Sequence, residues 1–292
     1  MLKAVVGSAA LAVGSGLYAF GVEPAFRLRV KHYRLTPPGW PPGQRLTVAA
    51  LADLHAGEPY MGLTRVREIV AATNRLGADL VVLLGDYVAG HRFQTRGVGV
   101  DELAPVLAAL HAPLGRYAIL GNHDWWDDAA AQRAGRGPIV AGRVLEAAGI
   151  PVLENRALRL EHDGWPLWLL GLGDQLALLR RPRPVGVHDL AGTLAKVTDD
   201  APVLLLAHEP DVFAELPARV SLTLSGHTHG GQVRAFGYSP LVPSRFGNRY
   251  AYGHVVEEGR HLIVSGGLGT SILPVRLGVP PEIVLVELGA PR

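Results

Sequence analysis

Short, almost wholly apolar runs recur along this chain, and each stops at a cluster of polar side chains. Residues 46–52 read as a strand that ends at Asp53-Leu54-His55. A run without polar alternation is that of a strand covered on both faces. Residues 64–76 carry helical spacing through Val66, Ile69, Val70 and Thr73, with Gly77 as a stop. Residues 79–84 form a second apolar run, ending at Gly85-Asp86. After helical residues 102–110, a third strand at 116–120 ends at Gly121-Asn122-His123-Asp124. Residues 203–207 run into His208-Glu209-Pro210, and 221–224 into Ser225-Gly226-His227-Thr228-His229. Between these halves, 151–153, 156–161 and 167–170 read as three short strands, an antiparallel extension. Residues 262–265 and 282–287 are expected to complete a second sheet. The pattern predicts an α/β fold, a four-layer α/β/β/α sandwich of two mixed sheets. In open α/β sheets ligands bind beyond the carboxyl ends of the strands, where all five polar clusters fall.

The amino terminus departs from this rhythm. From Ala4 to Val22 no residue is charged, and about 19 apolar residues are just enough to span a hydrocarbon core as a helix. Lys3 stands alone before the run and no small-x-small cleavage site follows it, so an uncleaved membrane anchor over residues 1–35 is expected rather than a signal peptide. An interfacial helix is the alternative, since Gly7, Gly14, Gly16 and Gly21 weaken a spanning helix. Arg27, Arg29, Lys31 and Arg34 form a basic flank, which would keep the following domain on the cytoplasmic side. Residues 36–44, rich in Pro and Gly, read as a stiff linker, and 45–292 as the folded domain that follows.

Composition narrows the chemistry. Lys plus Arg number 28 against 26 Asp plus Glu, so the charge is too even to indicate a nucleic-acid partner. The chain has no cysteine, which excludes disulfides, thiolate nucleophiles and Cys-bound zinc. What remains as a donor set is Asp53, His55, Asp86, Asn122, His208, His227 and His229. Oxygen and imidazole donors suit divalent Mn, Fe, Zn, Ni or Co, with Mn the expected ion. Two such ions sharing a carboxylate would polarise a phosphoryl oxygen and lower the pKa of a shared water toward about 7. Asp86, central in the order, is the natural shared ligand.

The ordered motifs D-x-H, G-D, G-N-H-D, H-E-P and G-H-T-H resemble the calcineurin-like metallophosphoesterase signature. The resemblance implies that Asp53, His55, Asp86 and His229 hold one ion and Asp86, Asn122, His208 and His227 the other. It implies that His123 meets the leaving-group oxygen and that Asp124 orients the His123 imidazole. The leader Tyr18-Ala19 with Glu23-Pro24, Gly85-Asp86-Tyr87-Val88, Gly230-Gly231-Gln232, residues 265–270 and Pro274-Val275-Arg276 are similar to a YkuE-like subfamily of membrane-tethered bacterial phosphoesterases. Ala52 departs from that subfamily, which usually has Ser there.

An anchored site favours an amphiphilic substrate. The resemblance implies a phosphodiester or pyrophosphate, such as UDP-2,3-diacylglucosamine of lipid A synthesis. A general nucleotide phosphodiesterase, a phosphoprotein phosphatase and an inactive metal-binding scaffold are the alternatives. His91, Arg245, Arg249 and Arg276 are candidates for binding substrate phosphate, and Trp125 and Trp126 for lining the site mouth. The remaining His32, His111, His162, His188, His254 and His261 have no partner pattern.

Overall fold

A computed structural model of the chain describes residues 14–88 and 93–289. Two large sheets stand at its centre. The first has the order β1 (Arg29–Leu35), β13 (Glu282–Leu288), β2 (Leu46–Leu51), β4 (Leu80–Leu83), β6 (Arg116–Ala118). The second runs β11 (Gly253–Glu257), β12 (Arg260–Val264), β10 (Leu222–Ser225), β9 (Val203–Leu206), β8 (Trp165–Gly171), β7 (Arg156–His162). A small ribbon pairs β3 (Gly57–Glu58) with β5 (Arg96–Gly97).

The apolar runs carry no alternation because both faces of each strand are covered. In β2, Leu46, Val48 and Ala50 join Leu204, Leu206, Leu222 and Leu224 of the second sheet in one core. Ala49 and Leu51 point the other way, into a core shared with helices α1 (Leu63–Arg75), α2 (Val100–Leu107) and α3 (Val140–Ala147). Val203 and Leu205 face a third core with Val212, Phe213 and Tyr250. Three apolar layers between four structural ones make the α/β/β/α sandwich.

Four sequence expectations need correction. Residues 282–287 lie in the first sheet, where β13 runs antiparallel to β2; alternate side chains feed its two flanking cores, Val284 and Val286 one, Ile283 and Leu285 the other. Of residues 151–153, only a single bridge, Val152 to Ala118, forms. Residues 29–35, expected as the flank of an anchor, are the edge strand β1, parallel to β13. Arg29 pairs with buried Glu282 at 2.8 Å and Arg34 with Glu287 at 3.0 Å. Within 36–44, Trp40 is buried against Trp165, with ring centroids 5.6 Å apart, so this stretch is docked to the inter-sheet core.

Candidate metal centre

The parallel strands β2, β4, β9 and β10 end together, and the chain must turn sharply there to aim side chains across the sheet ends. Asp53, His55, Asp86, His227 and His229 accordingly adopt positive φ, between 42° and 68°. Outside glycine that conformation costs about 1–3 kcal/mol per residue and persists where surrounding structure imposes it, often at functional sites. Glycines permit the crowding. A Cβ on Gly121 would lie 2.3 Å from Asp86 Oδ1, and one on Gly226 would lie 2.7 Å from Asp53 Oδ2.

The predicted donors converge. Asp53, His55 and His229 place ligand atoms within 4.8 Å of one another, and so do Asp86, His208 and His227. Asp86 lies between the two groups, its Oδ2 3.4 Å from His55 Nε2 and 3.2 Å from His208 Nε2. Asn122 Oδ1 stands 2.9 Å from His227 Nδ1. His55 and His229 bring their Nε2 atoms to 3.1 Å. The far nitrogens are held by backbone: His208 Nδ1 is 2.6 Å from the Leu84 carbonyl and His55 Nδ1 3.2 Å from that of Val88.

Electrostatics test whether cations fit. Burial pushes the Asp53 carboxyl up to about 7, aided by the charge of Asp86 and opposed by His208. Burial also acts on Asp86, but the imidazoles of His208, His123 and His55 overcome it and hold that carboxyl well below its ordinary range. His208 is the reverse case: burial lowers it, and Asp86, Glu209 and Asp53 raise it well above an ordinary imidazole. Burial keeps His55 neutral, down to about 3, and lowers His227 and His229 as well. The neutral imidazoles of His55, His227 and His229 offer lone pairs, and Asp53 Oδ2 is buried without a hydrogen-bond partner. Clustered carboxylates and neutral imidazoles with an orphaned donor atom are what two divalent ions would complete.

His123 sits at the rim of this cluster. Its ring lies edge-on to His55 with centroids 4.9 Å apart and 5.0 Å from that of Trp126, and its Nε2 is 3.5 Å from Ser271 Oγ. Trp126 therefore lines the site, whereas Trp125 is buried in the helical-side core. Asp124 does something other than expected. One carboxylate oxygen accepts the backbone N–H groups of Asp86 and Gly121, at 2.9 and 2.8 Å, and the other that of Tyr87 at 2.9 Å. Both oxygens are thus engaged in tying the loop after β4 to the loop after β6.

Of the four substrate-binding candidates, the three among the described residues do not face the open side of the cluster. Arg276 is fully buried; its guanidinium donates to the Gly269 and Val279 carbonyls and lies 3.3 Å from His229 Nδ1, behind the ligand. Arg249 forms a two-pronged pair with Glu257 at 2.7 and 2.9 Å, and Glu257 is at the end of β11 remote from the site. Arg245 pairs with Asp211 at 3.4 Å and Glu215 at 3.6 Å. Long cationic side chains found carboxylates or carbonyls that the sequence could not bring near them. His91 lies outside the described residues.

The reading of motifs missed Asp174. It follows β8 in Gly171-Leu172-Gly173-Asp174, an apolar run ending at an acid like the others, and that was a legible signal. Asp174 and Glu209 place carboxylate oxygens within 4.8 Å of a His208 nitrogen. Burial, then Glu209, raise the Asp174 carboxyl well above its ordinary range.

Comparison with known proteins follows the same lines. The sequence model of the family described as calcineurin-like phosphoesterase matches residues 46–231. Metallophosphoesterase YkuE of Bacillus subtilis is 30% identical, over 99% of this chain and 94% of its own. Phosphodiesterase YaeI of Escherichia coli is 32% identical, over 82% and 80%. A Danio rerio protein named transmembrane protein with metallophosphoesterase domain is 29% identical, over 83% of this chain and 53% of its own.

Proposed function

Since the chain belongs to the calcineurin-like phosphoesterase family and is therefore a phosphoester hydrolase, we propose that it cleaves a phosphodiester or pyrophosphate of a membrane-associated substrate with two divalent ions, Mn foremost. The observation that carries this reading is the Asp86 carboxylate, 3.4 Å from one imidazole group and 3.2 Å from the other. Asp53, His55 and His229 would hold one ion, Asn122, His208 and His227 the other, with Asp86 common to both. Bound there, the pair supplies charge neutralisation at the phosphoryl oxygens and an acidified water.

The chain's own groups do the rest. Asp86 is kept ionised by His208, and its Oδ1 accepts the backbone N–H of His123 at 2.9 Å. His123, on the open side of the cluster, presents Nε2 toward Ser271 and the site mouth, where it can give a proton to a departing oxygen. Trp126 fixes the ring's other face, its indole N–H bound to the Leu176 carbonyl at 2.9 Å. The intact set of Asn122, His123 and Asp124 beside the predicted ligands favours an enzyme over an inert scaffold.

A substrate such as UDP-2,3-diacylglucosamine fits a tethered site, with the catalytic domain on the cytoplasmic side. Support for tethering is the uncharged run from Ala4 to Val22 and the name of the Danio rerio relative. Among the described residues no helix is long and apolar enough to cross a membrane. The test is hydrolysis by the purified, Mn-loaded protein of bis-p-nitrophenyl phosphate, p-nitrophenyl phosphate, UDP-2,3-diacylglucosamine, cyclic nucleotides and a phosphopeptide. Preference for the lipid nucleotide supports the reading; preference for cyclic nucleotides or phosphopeptides moves it to the alternatives, and no turnover at all leaves the scaffold.

A further inference from the structure

Ten of the fifteen large apolar side chains exposed among the described residues come from three segments. These are the helical stretch 14–26, the turn 232–241 and the loop 271–277. Hydrogen bonds join the three into one face. The Arg276 N–H donates to the Ala19 carbonyl at 2.9 Å, the Leu277 N–H to Gln232 at 2.9 Å, and Gln232 Nε2 to the Leu273 carbonyl at 3.1 Å.

Two tips of this face are strained. Phe236 and Ile272 have φ of 51° and 64°, yet Phe236 is wholly exposed and Ile272 71% exposed. Positive φ is a genuine outlier for bulky and β-branched residues. Tight turns impose both conformations: Ala235 and Tyr238 exchange backbone N–H···O bonds at 3.0 and 2.9 Å around Phe236, and the Leu273 N–H donates to the Ser271 carbonyl at 2.6 Å around Ile272. Such turns ordinarily carry Gly, Asn or Asp, so bulky apolar side chains at their exposed tips, unburied within the chain, point to a contact with something outside it. Leu241, 73% exposed, is the third tip, and Phe26, 76% exposed, stands on the neighbouring helix.

What covers this face is indicated by the chain that leads into it. Residues 1–13 precede the helical stretch and carry no charge after Lys3. An uncharged apolar segment entering an exposed apolar face is the composition of a bilayer contact. We propose that the turn 232–241, the loop 271–277 and the helical stretch 14–26 dock together on a lipid bilayer, with Phe236, Leu241 and Ile272 inserted among the headgroups. The proposal rests on the tethered reading above and adds to it an orientation. Gln232 follows His229 by three residues and Ser271 lies 3.5 Å from His123, so docking by this face turns the mouth of the ion site toward the membrane. A substrate's phosphate would be met at headgroup depth without the lipid leaving the bilayer.

The absence of cysteine makes the test direct. Phe236→Cys, Ile272→Cys and Val256→Cys in the full chain each give one site for an environment-sensitive NBD label. Val256 is a control, exposed and paired with His261 at the end of β11 remote from the site. Vesicles of phosphatidylethanolamine and phosphatidylglycerol should brighten and blue-shift the labels at 236 and 272, and doxyl-labelled lipid should quench them, while the label at 256 stays in water. Co-sedimentation with all three labels in water keeps the tether and overturns the docking face. Failure to co-sediment overturns both. A blue shift at 236 without vesicles, with a dimer by light scattering, assigns the face to a second copy and also overturns it. Turnover of soluble bis-p-nitrophenyl phosphate, measured on the same samples, tests the phosphoesterase reading separately.

Discussion

Replacing Asp124 by Asn keeps the side chain's shape while removing its charge and one of its two acceptors. The carboxylate takes three backbone N–H groups, from Asp86 and Gly121 on one oxygen and Tyr87 on the other. Burial and the charge of Asp86 push its pKa up to about 7, so at pH 8 it is ionised. The better amide orientation puts the remaining oxygen on Asp86 and Gly121 and sets an NH2 against the Tyr87 N–H. One charge-assisted bond is then lost outright and two are weakened, a cost of about 3 kcal/mol. For a chain of this size that corresponds to a fall in Tm of roughly 6–12 °C. The assay is thermal unfolding by circular dichroism at pH 8 in EDTA, alongside metal stoichiometry. Asp124→Asn should lower Tm by that amount and weaken metal retention, because the Asp86 loop loses its tie. An unchanged Tm and full metal content with a reduced kcat would refute the reasoning and return Asp124 to the role of orienting His123.

Asp86→Ala and His227→Ala should lose bound metal and turnover together, whereas His123→Ala should retain both ions and lose roughly 100-fold or more in kcat; equal metal loss in all three, measured by plasma mass spectrometry, contradicts these roles. Gly121→Ala places a Cβ 2.3 Å from Asp86 Oδ1 and 2.7 Å from both the Asp86 nitrogen and His208 Cε1. With φ at −110° the backbone itself tolerates alanine, so the cost, about 1–3 kcal/mol, is steric; calorimetry should find weakened binding of the ion at Asp86 and His208, and wild-type affinity would disprove it. Metal binding should also release protons: Asp53, raised to about 7, and His208, raised well above its ordinary value, must both give theirs up. Affinity therefore rises as pH rises through about 7, and titration calorimetry in buffers of different ionisation heat should find about two protons released at pH 6 and fewer at pH 8. Release of none at pH 6 would mean that the two groups are already deprotonated.

The motifs at the strand ends were legible because their spacing is local. Asp53-x-His55 or His227-x-His229 needs only an apolar run before it to be placed at a sheet edge, and the family's order of motifs then pairs distant residues. The four layers were legible for a similar reason, since unbroken apolar strands require cover on both faces. Roles that depend on contacts between distant segments were not. Arg276 looked like a phosphate ligand beside an apolar loop, yet it is buried behind His229. Asp124 adjoins His123 in sequence, but its carboxylate faces backbone donors from another loop. That residues 29–34 also form a strand, with Arg29 and Arg34 paired to carboxylates of β13 more than 250 residues later, was not legible in their basic pattern. A sequence states which atoms can bind a cation, and repeated strand ends bring those atoms to one place. Which neighbour satisfies a long or charged side chain is settled only when segments far apart in the chain are packed together, because burial forces each such group to the nearest available partner.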